Sequence, residues 1–157
     1  AWGQSAAAII GQCLGAGNLR RALRAGLGAT LQCGVLGLAV TAVFFLGADE
    51  IYRTMHRDPH VAAAGTFPFR ILALFQLPLI VFLVLKFALH GAGDTRWPMM
   101  ATIAGTLLLR LPFAWLFGIY CQLGLLGAWT GMFIDIAFRS VLLSRRYLGR
   151  RWLSQTV

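Results

Sequence analysis

Acidic residues are scarce in this sequence. Five Asp and Glu stand against fourteen Lys and Arg in 157 residues, and charge of both signs amounts to only 12%. A water-soluble domain ordinarily carries about 25%, so this chain cannot cover itself with a water-compatible surface. Cysteine is equally thin. Cys13, Cys33 and Cys121 are too few and too scattered for a disulfide framework or a zinc centre, and read as small apolar packing residues. Short alternating segments, which a membrane β-barrel needs, are missing. Asp135 is the one acid inside an apolar run, and no histidine lies in a span, so the converging His, Asp and Glu of a membrane-embedded enzyme are absent. We expect no enzymatic activity, no cofactor and no bound metal. His56, Asp58 and His60 hint at a metal site, but Pro59 breaks a helical i, i+4 spacing there, and a solvated loop accounts for them.

What the chain has in excess is apolar residues, 59% of the total, gathered in long runs. From Ala25 to Ala48 there is no charge. At about 1.5 Å per residue such a run crosses the roughly 30 Å hydrocarbon core. Backbone groups in lipid must be satisfied within their own segment, so the runs are helices. The predicted fold is all-α: a polytopic transmembrane helix bundle in the lipid bilayer, with one partial and four complete spanning helices.

The partial segment covers about 1–14. It lacks a basic leader, so it is not a signal peptide, and it reads as a helix already under way inside a longer chain. Gly15-Ala16-Gly17-Asn18 stops it. Complete spans follow at about 25–47, 66–89, 98–119 and 125–143. The polar stretch from Ala48 to His60, with its Asp58-Pro59 turn signal, separates the first two of these. From Trp97 to Ile134 only Arg110 is charged; that length suits two crossings, with the turn at Cys121 to Gly124. Residues 144–157 read as a basic tail, with Trp152 as an interfacial anchor.

The formal charge of +9 does not point to nucleic acid, because the arginines sit at the ends of apolar runs and line no groove. Arg20, Arg21, Arg24, Lys86, Arg96, Arg145, Arg146, Arg150 and Arg151 fall on one side; Arg53, Arg57 and, at its edge, Arg70 fall on the other. The positive-inside rule puts the richer side and the C-terminus in the cytoplasm; the location expected is a plasma (inner) membrane.

Several residues carry candidate chemistry. Arg110 and Asp135 lie equally far from the turn, so two antiparallel helices would bring them to one depth near mid-membrane. Charges there are functional suspects by default. We expect them to face the bundle interior and pair, with Arg139, one turn beyond Asp135, as the competing partner. Gln76 reads either as a cavity-lining residue or as a bond to a neighbouring helix, and Pro78 as a kink or hinge. Asp94 reads as the cap of the helix that starts near Pro98.

Four motifs carry a family resemblance: Gly11-Gln12-Cys13-Leu14-Gly15-Ala16-Gly17-Asn18; His90-Gly91-Ala92-Gly93-Asp94-Thr95-Arg96; Arg110-Leu111-Pro112-Phe113-Ala114; and Gly124-Leu125-Leu126-Gly127-Ala128-Trp129. In this order and at these helix ends the chain resembles the multidrug and toxic compound extrusion (MATE) family, with His90 where that family has Arg. The resemblance implies a two-lobed secondary transporter of twelve helices. Such transporters export organic cations and other amphipathic compounds in exchange for protons or sodium ions. It places the chain at the end of the carboxy-terminal lobe, from within helix eight through helix twelve, with the missing amino-terminal lobe as its partner and no transport by the fragment alone. Sodium-coupled members carry an acid about fifteen positions before this Asp; here that position is Leu79, and no carboxylate lies between Val61 and Gly93. The coupling ion expected is therefore H+ rather than Na+. A lipid or polysaccharide flippase of the same superfamily and a non-transporting helix bundle are the alternatives.

Overall fold

The computed structural model describes residues 2–55, 59–150 and 152, without the side chains of Tyr52, residues 59–68 and Leu125. His56 and Asp58, and the side chain of His60, lie outside the described residues, as does most of the chain beyond Arg150. All regular elements among the described residues are helices: α1 (Trp2–Gly15), α2 (Leu19–Leu46), α3 (Ala48–Met55), α4 (Pro59–Gly91), α5 (Arg96–Ala104), α6 (Leu111–Trp115) and α7 (Gly124–Leu148). Two π-helical stretches, Gly105–Arg110 and Leu116–Tyr120, join α5 and α6 into one continuous rod from Arg96 to Tyr120.

Among the described residues, four helical stretches are long and apolar enough to cross a membrane: Leu19–Leu46, Phe69–Gly91, Arg96–Tyr120 and Leu126–Leu148. Their outer faces are apolar and uncovered. On α2, Leu31, Val35, Leu36, Leu38 and Val43 are all exposed, the arrangement expected of a helix that meets lipid. Most helices run past the apolar runs. α2 starts at Leu19 and takes Arg20, Arg21 and Arg24 into its first turns. α4 begins at Pro59 and continues unbroken through Pro78. α7 extends to Leu148, so the start of the basic tail is helical. The polar stretch after α2 holds the short helix α3, with Asp49 and Glu50 in its first turn and Arg53 in its last, which suits the helix dipole.

α4 is the central helix and packs against α1, α2 and α7. The core lies toward its C-terminal end, where Phe82, Leu85, Ala88 and Leu89 meet Ile10, Ala22, Leu143 and Tyr147. Trp152 belongs to this core. It is fully buried, stacks on Tyr147 with ring centroids 4.9 Å apart, and donates its indole N–H to the Tyr147 carbonyl at 2.8 Å. It is a core residue of this fold and not the interfacial anchor its place in a basic tail suggested. The cysteines are free thiols: Cys13 is buried in the core, Cys33 is half-buried and Cys121 is exposed at the α6–α7 turn.

Candidate functional site: an intramembrane ion pair and two glycine turns

Asp135 lies inside the α7 span and is 1% exposed. Its partner is Arg139, one turn later on the same helix, which is also buried. Arg139 Nε and Nη2 both donate to the carboxylate, and Nη2 donates to Thr106 Oγ1 at 2.8 Å. The Thr106 hydroxyl donates in turn to the Thr102 carbonyl at 2.9 Å. The Arg139 guanidinium lies 5.6 Å over the Phe82 ring of α4. Carboxylate, guanidinium and hydroxyl therefore form one closed network joining α7 to the 96–120 rod and α4. Gly105 makes room for it: a Cβ there would overlap Asp135 Oδ1 and Arg139 Nε.

Arg110 does not join this network. Its carbonyl backs onto Gly131 of α7, where an added Cβ would come within 3.0 Å of it, but its side chain is exposed. The expected Arg110–Asp135 pair is thus replaced by Arg139–Asp135. Equal depth brings two residues together only if unbroken α-helix also turns them toward each other, and Arg110 closes a π-helical stretch. A π turn takes in more residues than an α turn and shifts every later side chain around the axis. Gln76 is half-buried on α4 and also lies outside the network.

The two glycine loops have one geometry. After α1, Gly17 N–H bonds to the Leu14 carbonyl at 2.9 Å and Asn18 N–H to the Cys13 carbonyl at 2.8 Å, with Gly17 at φ +73. After α4, Gly93 N–H bonds to the His90 carbonyl and Asp94 N–H to the Leu89 carbonyl, each at 3.0 Å, with Gly93 at φ +81. Both are Schellman closures, in which a left-handed residue lets two orphan carbonyls be satisfied. Gly15 and Gly91 end the respective helices.

Asp94 is not a helix cap. The N-cap of α5 is Thr95, which makes no side-chain cap bond. Asp94 is 1% exposed, and its Oδ2 accepts from Arg146 Nε at 2.9 Å. The Arg146 guanidinium also sits 5.1 Å from the Trp97 ring. Tyr147 completes this end of the bundle by donating its hydroxyl to the carbonyls of Ala22 (3.3 Å) and Leu23 (3.1 Å) on α2. The roles of Arg146, Thr106 and Tyr147 were missed in the sequence. A signal existed for the first: Asp135, Arg139 and Arg146 recur at spacings of four and seven, which is one face of a helix.

These features define a polytopic α-helical membrane protein whose last helix is bound to the others by buried polar contacts. The sequence profile named MatE matches residues 1–116, and the chain belongs to that family. It is 35% identical over 153 residues to the probable multidrug resistance protein NorM of Thermotoga maritima, covering 95% of this chain and 32% of that protein. It is 29% identical over 151 residues to the multidrug resistance protein NorM of Burkholderia vietnamiensis, covering 92% of this chain and 32% of that protein. The fold matches an inward-facing multidrug resistance MATE family transporter of the MOP superfamily, with TM-score 0.83 and 19% identity over 92% of this chain and 33% of that one. The chain spans about a third of the length of these relatives.

Proposed function

We propose that this chain forms part of the carboxy-terminal lobe of a secondary active exporter of amphipathic and cationic compounds, completed by an amino-terminal lobe. Arg110 carries the reading. It stands near the middle of the 96–120 span with its side chain uncovered. Lipid tolerates such a charge poorly, and intramembrane arginines face a bundle interior or a watery cavity. A second lobe closing over this face supplies that cavity. The NorM relatives, whose names describe multidrug resistance, support an exporter of drugs. Both oxygens of Asp135 are engaged by Arg139, and Leu79 stands where sodium-coupled members carry an acid, with no carboxylate between Val61 and Gly93; this supports H+ as the coupling ion, with its carboxylate in the other lobe. The basic end faces the cytoplasm of a plasma membrane.

Reconstitution of the native full-length protein in vesicles tests this. An imposed proton gradient should drive uptake of a fluorescent organic cation, and a sodium gradient alone should not. Gradient-independent vesicles with no cation movement would remove the exporter reading. The cationic Arg110 also favours a second reading, a flippase for an anionic lipid-linked substrate. That reading requires transfer of a fluorescent anionic lipid between leaflets, with no cation uptake.

A further inference from the structure

At the basic end, a cleft of about 480 Å³ opens between the first turns of α2 and the end of α7, lined by Leu19, Arg20, Leu23, Arg24 and Arg150. Arg20 and Arg24 are one turn apart on one face of α2, a spacing at which like charges repel. Arg150 brings a third guanidinium from the other wall. No carboxylate pairs with any of the three among the described residues.

The positive-inside tendency accounts for cations at this end of the bundle. It does not account for three of them converging on one cleft. The far wall is also held in place. Arg150 follows the C-cap Gly149 and has φ +56, the left-handed conformation in which helices commonly end. Its N–H bonds to the Tyr147 carbonyl at 3.3 Å, the same carbonyl that accepts from the Trp152 indole, and the Tyr147 hydroxyl is tied to the carbonyls of Ala22 and Leu23 beside the cleft. The chain thus sets Arg150 opposite two other arginines, with no carboxylate partner for the three among the described residues.

We propose that this cleft binds the phosphate diester of an anionic membrane lipid. Guanidinium groups match phosphate oxygens with paired, charge-assisted hydrogen bonds. Leu19 and Leu23 offer an apolar wall to the glycerol and the start of the acyl chains. The cleft lies at the ends of two spans, at headgroup level, where basic pockets between helices take anionic headgroups. Its volume falls within the range of small-ligand sites.

The test uses the native full-length protein in neutral detergent, titrated with phosphatidylglycerol, phosphatidylcholine or inorganic phosphate. Thermal unfolding and lipid retained in native mass spectrometry are the readouts. Phosphatidylglycerol should raise Tm and remain bound; phosphatidylcholine should do neither. The variant R20Q/R24Q/R150Q should weaken phosphatidylglycerol binding about a hundred-fold, a factor of about five for each cation lost. R20K/R24K/R150K keeps the charge but loses the paired guanidinium bonds, and should bind more weakly than the native protein and more tightly than the Gln variant. R21Q/R96Q/R145Q removes as much charge from the same end but leaves the cleft intact, and should bind nearly as the native protein does. Equal loss in the two Gln variants would reduce the effect to general surface charge and overturn the proposal. Inorganic phosphate that stabilises as well as the lipid would overturn the lipid assignment in favour of a free anion site.

Discussion

Replacing Asp135 by Asn probes the intramembrane pair most directly. The two side chains are close in size, so the packing against Gly105 is kept and the change removes one charge. Arg139 cannot release its proton in compensation, and at 7% exposure it has almost no access to solvent. Stranding one member of a buried pair costs about 3–5 kcal/mol. Two contacts survive the substitution: the hydrogen bond to Thr106 at 2.8 Å and the Phe82 ring at 5.6 Å. A ring contact of this kind contributes roughly 0.5–2 kcal/mol. The expected loss is therefore at the lower end, about 3 kcal/mol. The double variant Asp135→Asn/Arg139→Gln removes the stranded charge as well and leaves two amides able to bond each other. It should recover most of the loss, since a buried ion pair as a whole contributes little beyond a neutral replacement. Thermal unfolding of the purified native protein, followed by tryptophan fluorescence, ranks the three forms. The order expected is native close to the double variant, with Asp135→Asn clearly below both. A single variant as stable as the native protein, or a double variant as unstable as the single one, would refute the reasoning.

Three further outcomes follow from the same contacts. Gly91→Ala would place a Cβ 2.5 Å from Ala7 Cα; since neither backbone can yield cheaply, α1 and α4 must part, and Tm should fall with a loss of about 1–3 kcal/mol. Tyr147→Phe removes the hydroxyl that ties α7 to Ala22 and Leu23 and should cost about 0.5–1.5 kcal/mol in a denaturant titration. Asp94→Asn loosens Arg146 and should cost about 1.5–3 kcal/mol; a cycle with Arg146→Gln should show strong non-additivity.

The spans were legible because lipid leaves so few options. Long uncharged runs must be helices, and Gly17 and Gly93 stop them for a reason visible in any glycine-rich stretch after an apolar run. The dipole-matched charges of α3 could have revealed a helix in the polar stretch. The rotation of Arg110 could not be read in the same way. Depth along a helix follows from counting, but azimuth depends on unbroken periodicity, and nothing in Gly105–Arg110 announces a π turn. The tail misled for a different reason. Arg145 and Arg146 have the composition of a solvated terminus, yet the acid that holds Arg146 lies 52 residues earlier in a turn. Trp152 similarly needs Tyr147 beside it to become a core residue. Residue type identified the helix ends; long-range partners decided what they do.

Among the described residues, those partners make the two ends of the bundle physically unequal. At the end formed by α3 and the neighbouring part of α4, the ion pair among the described residues is Asp49–Arg70, with side chains 55% and 40% exposed, and an exposed pair of this kind contributes little. At the basic end, Asp94–Arg146, the Tyr147 hydroxyl and the Trp152 cap are buried, and each joins segments distant in sequence or folds the terminus onto α7. The Asp135–Arg139–Thr106 network extends this fastening into the span. α7 thus acts as a clamp whose polar face holds the 96–120 rod, α4 and α2 in fixed relation. Under the exporter reading this has a mechanical consequence. Alternating access by rocking of one lobe against another requires each lobe to keep its internal geometry. On that reading the buried contacts of α7 would supply that stiffness within the lobe, and Arg110, left out of them, would face the second lobe.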